Sequence, residues 1–141
     1  MGTDIRPEIS KRNRYWISRH RYYELKHFCL QYPDWVREKR KLESEISGDI
    51  FIGNYRGRVQ TSDVRDRTAE IGVKLAELDR NIDLVKRLCR EADVVLAEFI
   101  FLAVTEGRSY SSLSSVYRIP CGQDMYYDRY HKFFWLLDKE R

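Results

Sequence analysis

A heptad repeat of apolar residues between positions 64 and 89 constrains the fold of this chain more than any other feature. Its members alternate at spacings of four and three residues, with Thr68 the one polar member: Val64, Thr68, Ile71, Leu75, Leu78, Ile82, Val85 and Cys89. Charged residues occupy most of the intervening positions, which keeps the other faces of such a helix in water. A strict 3.5-residue period favours a long helix that supercoils with a partner helix. The sequence therefore predicts an all-α protein, a helical bundle with one long heptad helix.

The N-terminal segment, residues 1–46, is predicted to hold two basic, aromatic helices. Apolar residues at helical spacings mark the first helix, and Pro33 disfavours helical geometry at Tyr32, so this helix should end there. Asp34 is then a plausible cap for a second helix that runs to about Ile46. Residues 1–41 hold 11 Lys and Arg against 5 Asp and Glu, so this end of the chain favours polyanions.

Residues 47–61 form the third predicted feature, a segment that carries three of the seven glycines. Residues 50–52 and 55–59, on either side of Gly53 and Asn54, have the pattern of a short β-hairpin. A plain loop is at least as well supported, because no third strand is available to stabilise the pair. The heptad helix then occupies residues 62–92.

The last segment, residues 93–141, has the parts of a helix-turn-helix. Asp93 can cap a helix over residues 94–104, which is apolar nearly all round and should be buried. Ser109 can cap a short helix to about Tyr117, with Leu113 and Val116 turned inward. A tight turn at 118–120 precedes a final helix over about 122–138. Its core face is expected to consist of Tyr126, Tyr130, Phe133 and Leu137.

A helix of this kind fits the major groove of DNA, where its first turns meet base edges and its cations meet phosphates. The residues predicted to contact DNA here are Arg118, Gln123, Tyr127, Arg129, His131 and Lys132. The basic N-terminal segment is predicted to contact the DNA backbone through Arg12, Arg14, Arg19 and Arg21. The alternative to DNA binding is a helical hairpin whose polar face is simply exposed to solvent.

A reader of two DNA half-sites needs two copies, which makes a homodimer the predicted state. The dimerisation residues are then expected on the heptad seam: Ile71, Leu75, Leu78, Ile82 and Val85. The seam can equally pair with another helix of the same chain, and the sequence leaves this open.

The stretch from Ser109 to Leu137, above all Ile119-Pro120 and residues 125–133, resembles the C-terminal end of phage-encoded transcriptional regulators of the RinA/ArpU type. Residues 21–33 also resemble the front end of small phage proteins that share this tail, so the resemblance covers roughly half of the chain. It implies a sigma-region-four-like helix-turn-helix and a role in activating phage genes. One departure is Asp128, which stands where that family has a run of arginines.

No catalytic motif supports an enzyme, and neither a cofactor nor a metal is predicted. His20, His27 and Cys29 face different sides of one helix, which argues against zinc. The thiol of Cys121 near a helix N-terminus is the nearest approach to a nucleophile, because that position can lower a pKa. Three widely spaced cysteines, and the absence of an apolar stretch long enough for a bilayer, predict a cytoplasmic protein. The resemblance to phage regulators implies that this is the cytoplasm of a bacterial host.

Two other functions remain open at this stage. One is a phage protein that inhibits a host or defence protein, such as an anti-CRISPR, through protein–protein contacts. The other is a DNA-packaging factor like a terminase small subunit.

Overall fold

The computed structural model of the chain describes residues 11–56 and 61–141, with side chains described outside 49–64. These residues contain six helices and no strand, which confirms the all-α prediction. The helices are α1 (Arg19–Leu30), α2 (Tyr32–Arg56), α3 (Thr61–Ala92), α4 (Ala97–Glu106), α5 (Tyr110–Ser114) and α6 (Gln123–Glu140). None of the described helices is both long and apolar enough to cross a membrane.

Local chemistry explains several helix ends. Ser18 caps α1, since its hydroxyl accepts a hydrogen bond from the N–H of Arg21 at 3.2 Å. Gly107 ends α4 with φ at +70°, in the left-handed region, and its N–H donates to the carbonyl of Ala103. A β-carbon at this position would also lie 3.4 Å from a methyl of Leu30. That distance is an ordinary van der Waals contact, so glycine is favoured there by the backbone conformation.

The break between α1 and α2 lies at Gln31, one residue earlier than predicted. Pro33 stands in the first turn of α2, where its missing N–H would have no helical acceptor. Asp34 is inside this first turn and forms an ion pair with Arg37, so its predicted role as the cap is wrong. The proline favours the start of a new helix rather than a longer gap.

The predicted loop or hairpin at residues 47–61 is wrong over most of its length. Helix α2 continues through Arg56 and α3 begins at Thr61, while residues 57–60 lie outside the described part of the chain. A glycine costs a helix only about 1 kcal/mol relative to alanine. Extending an existing helix past Gly48 also avoids the cost of nucleating a new element.

The described residues form two compact units, and these do not follow the four predicted segments. The first holds the residues up to Gln31 together with Leu84–Arg141, and the second is Tyr32–Asp83. The division arises because α2 and α3, which are adjacent in sequence, are joined by ion pairs, whereas α1 packs against the later helices α4 and α6.

The second unit is an antiparallel hairpin of α2 and the earlier part of α3. Lys39 Nζ lies 2.7 Å from Asp79 Oδ1, and Arg67 Nη2 lies 2.6 Å from Glu45 Oε1, so the two helices run in opposite directions. The apolar residues buried in this unit are Tyr32, Trp35 and Leu42 on α2 and Ile71, Leu78 and Ile82 on α3.

The heptad seam is therefore covered within a single chain. Ile71, Leu78, Ile82 and Val85 are buried, and Leu75 is half-buried. This is the pairing within the chain that the sequence left open. The predicted homodimer itself remains a prediction, and these side chains are not free to form its interface while the hairpin is closed.

The core of the first unit is aromatic, and α6 supplies most of it. The predicted inward residues Tyr126, Tyr130, Phe133 and Leu137 are all buried, as that prediction required. The rings of Tyr22 and Phe134 meet edge to face at 5.0 Å between centroids, which joins α1 to α6.

Two buried hydroxyls join the same pair of helices. The hydroxyl oxygens of Tyr22 and Tyr130 share a hydrogen bond of 2.8 Å. Burial and the neighbouring Tyr22 raise the pKa of Tyr130 well above its usual value. The hydroxyl of Tyr130 is therefore neutral in the folded protein at ordinary pH.

Replacing Ile100, whose side chain is fully buried on α4, by alanine should lower the free energy of unfolding by about 2–5 kcal/mol. The matched control is Val73→Ala on α3, where the valine is 70% exposed and the loss should stay below about 0.5 kcal/mol. Urea unfolding followed by circular dichroism measures both. Equal losses would show that this core assignment is wrong.

The stability should fall as the pH rises above about 10, the ordinary pKa of tyrosine. Below that pH, Tyr130 keeps its proton in both states and its contribution is fully present. Above it, the unfolded chain ionises first, because the pKa in the fold is higher, and stability is lost. Urea midpoints at about pH 8 and about pH 10.5 test this, and Tyr130→Phe should show the smaller decrease. A larger decrease for this variant would contradict the assignment.

Candidate nucleic-acid interface

The segment from Ser109 to α6 contains the elements of the predicted helix-turn-helix, but with a longer connection. Ser109 caps α5 as predicted, since its hydroxyl accepts from the N–H of Ser112 at 3.1 Å. Helix α5 ends at Ser114, earlier than predicted, and residues 115–122 separate it from α6. The predicted tight turn at 118–120 is thus wrong, because it is part of an eight-residue connection.

Tyr110, the first residue of α5, is hydrogen-bonded both to α6 and to the end of this connection. Its N–H donates to the hydroxyl of Tyr127 at 3.2 Å, and its own hydroxyl donates to the carbonyl of Cys121 at 2.9 Å. Its ring lies 5.2 Å from that of Tyr126 between centroids. Tyr127, which the sequence predicts as a DNA contact, is half-buried and acts in this framework.

The beginning and the remainder of α6 differ in exposure. Its first three residues, Gln123, Asp124 and Met125, are exposed, as is Arg118 in the connection. The later turns are held in the core by α1 and α4. We call Arg118 and residues 123–125 the α6 tip. A helix held at its rear and exposed at its first turn has the geometry required to reach base edges.

His131 is not part of this surface. The sequence predicts it on an exposed face of the last helix, but the side chain is only 4% exposed, and its ring centroid lies 5.8 Å from that of Tyr130. The prediction is wrong because α6 is covered along two sides, by α1 and by α4, rather than along one.

The guanidinium group of Arg129 forms ion pairs with two carboxylates. Its Nε donates to Asp93 Oδ2 at 3.2 Å, and its Nη1 donates to Asp128 Oδ2 at 2.5 Å. The other oxygen of Asp93 accepts from the N–H groups of Val95 and Leu96, so this residue caps the turn before α4 rather than α4 itself. Two carboxylates already neutralise the charge of Arg129, which reduces its attraction for a phosphate. Lys132 is half-buried.

The N-terminal arginines lie at the opposite end of α6. Arg12, Arg14 and Arg19 are exposed, whereas Arg21 Nε pairs with Asp138 Oδ1 at 2.7 Å. The ring of Tyr15 lies 5.4 Å from that of Trp135, which places this segment beside the last turns of α6. At 1.5 Å per residue, the twelve residues from Gln123 to Trp135 span about 18 Å. The structure therefore does not bring the two predicted sets of cations together.

A second surface was missed at the level of sequence: an apolar groove between the end of α3 and α4, with a volume of about 600 Å³. We call it the α3–α4 groove. It is lined by Lys86, Cys89, Arg90, Val94, Ala97, Glu98, Phe101, Leu102 and Tyr117.

The apolar run at 94–104 was predicted to be buried all round, and the structure contradicts this. Ile100, Ala103 and Val104 face the core, while Phe101 and Leu102 are only half-buried. Val94 and Val95 precede the helix and are 80% and 68% exposed. The prediction is wrong because α4 has neighbours in this unit on one side and an open groove on the other. The absence of a polar face in the run was the available signal.

Val116, predicted to face inward with Leu113, is 64% exposed, and this too is a correction. Because α5 ends at Ser114, Val116 no longer continues the helical face of Leu113, which is fully buried.

The thiols of Cys89 and Cys121 ionise less readily than that of a free cysteine. Burial raises the pKa of Cys89 to about 12, and burial also raises the pKa of Cys121, so the predicted lowering at Cys121 is wrong. Within the described residues, no group of three or more His, Cys, Asp or Glu side chains could hold a metal ion.

Comparisons of the chain with protein-family models, with curated proteins and with solved structures found no match.

Asp93→Ala should lower the free energy of unfolding by about 1–2 kcal/mol, because two backbone N–H groups lose their acceptor. Asp128→Ala removes one of the two carboxylate partners of Arg129 in a half-buried pair and no backbone acceptor, and should cost less than about 1 kcal/mol. Urea unfolding of the two variants gives the comparison. A larger effect at Asp128 would contradict the capping role of Asp93.

Proposed function

We propose that the protein binds duplex DNA through the α6 tip and acts as a phage transcriptional regulator in the cytoplasm of a bacterial host. The observation that carries the proposal is the division of α6 into a buried rear and an exposed polar first turn. The resemblance of Ser109–Leu137 to RinA/ArpU-type regulators supports the same reading.

Two residues of the α6 tip have the chemistry for separate tasks. Gln123 offers an amide that suits the N6 and N7 edge of adenine. Arg118 is exposed in the connection and suits a phosphate. Ser111, Ser114 and Ser115 are exposed on and just after α5, and the hydroxyls of Ser114 and Ser115 donate to backbone carbonyls.

Asp124 opposes binding. It is exposed in the first turn of α6, where a carboxylate is favoured by the helix dipole but repels phosphate. The proposed affinity therefore depends on compensation by cations elsewhere. The N-terminal arginines lie about 18 Å away along α6, and in this proposal they contact phosphates of the same duplex.

Fluorescence anisotropy against mixed duplexes at several salt concentrations, followed by selection of a preferred site, tests the proposal. Arg118→Ala should reduce the slope of log affinity against log salt by about 0.9, the value for one phosphate contact. Gln123→Ala should leave this slope unchanged and reduce discrimination at one base pair by about 1–3 kcal/mol. Asp124→Asn should strengthen binding to all duplexes.

The matched control is Lys74→Ala, which removes an exposed cation on α3 in the second unit. It should change neither the slope nor the preference by a comparable amount. Absence of binding by the unmodified protein at low salt, or equal losses from Lys74→Ala and Arg118→Ala, would overturn the proposal. The first of these results would favour a protein target instead.

A further inference from the structure

We propose that the α3–α4 groove is the surface through which two copies of this chain dimerise. The copies would meet around a two-fold axis, and Val94 and Val95 of each copy would enter the groove of the other. The inference rests on the proposed function only for the reason that two copies are needed, since a pair of DNA half-sites requires a dimer.

The first argument is the apolar surface that a single chain leaves uncovered. The groove is lined by exposed Val94, half-buried Leu102 and exposed Tyr117, and Val95, the neighbour of Val94 in sequence, is 68% exposed. Apolar side chains gathered on one surface, with charged residues at the rim, are characteristic of a protein–protein contact. In a two-fold dimer, the exposed valines of each copy can occupy the groove of the other copy.

The second argument is the arrangement of charge. Lys86 and Arg90 stand on the α3 side of the groove, and Glu98 stands on the α4 side; all three are exposed. Within the described residues, none of the three forms an ion pair. A uniformly acidic partner would repel Glu98, and a uniformly basic one would repel Lys86 and Arg90. A two-fold axis places each rim opposite the other rim of the second copy, which matches both charges at once.

The third argument is the state of the heptad seam. Ile71, Leu78, Ile82 and Val85 are already buried within one chain, so a dimer needs another surface. The groove lies in the first unit, as does the α6 tip. The two surfaces share no residue, so dimerisation would leave the α6 tip accessible.

Sedimentation velocity of the full chain without DNA, over a range of concentrations, tests the proposal. The unmodified protein should sediment as a dimer, whereas Val95→Asp and Leu102→Asp should weaken dimerisation by about tenfold or more. The matched control is Val73→Asp, which introduces the same charge at an exposed valine outside the groove and should remain dimeric. Circular dichroism of each variant confirms that it is folded.

A charge exchange sharpens the test. Glu98→Arg alone, and Lys86→Glu combined with Arg90→Glu, should each weaken dimerisation, because like charges would then face each other. A mixture of these two variants should recover dimers that contain one chain of each. This recovery would not follow from general damage to the fold.

A protein that stays monomeric at about 100 μM, far above a micromolar dissociation constant, would overturn the proposal. Equal loss of dimer from Val73→Asp, or no recovery in the mixture, would also overturn it. These measurements contain no DNA, so they can fail while binding of a single half-site succeeds, and the reverse is equally distinguishable.

Discussion

The burial of the rear of α6 against α1 and α4 is the interaction on which the rest of the first unit depends. Tyr126, Phe133, Phe134 and Leu137 are almost completely inaccessible, and each aromatic ring contacts others from the same cluster. The hydroxyls of Tyr130 and Tyr22 form a hydrogen bond with each other. These ring contacts and the Tyr22–Tyr130 hydrogen bond, made together in a dry core, fix the rotation of α6 about its own axis. This rotation determines which side chains of its first turn face the solvent.

The same packing explains why the two exposed surfaces are separate. Helix α4 uses the face of Ile100, Ala103 and Val104 for the core, so its other apolar face lines the α3–α4 groove. Helix α6 contributes its later turns to the core and leaves the α6 tip in water. A polar surface and an apolar surface on one unit suit two different partners, which we propose to be DNA and a second copy of the chain.

The helical periodicities of the sequence were sufficient for the fold class, the inward face of α6 and the seam of α3, because burial imposes those spacings directly. They were insufficient wherever the number of neighbours decided the result. His131 is buried because both α1 and α4 pack against α6, and Leu102 is half-buried because it lines the α3–α4 groove. The helical course of residues 47–56 was missed because glycine weakens a helix without ending it. The engagement of Arg129 by Asp93, 36 positions away, leaves no local signal in a sequence.

The most direct measurement of the central claim is a titration of the ¹⁵N-labelled protein with duplex DNA at low salt, followed by amide chemical shifts. Our account predicts that the largest shifts occur in residues 115–125 and near Arg12, Arg14 and Arg19, while Phe133 and Leu137 change little. Shifts concentrated at Phe101 and Leu102, or a spectrum that does not change with added DNA, would contradict the assignment of the α6 tip as the nucleic-acid interface.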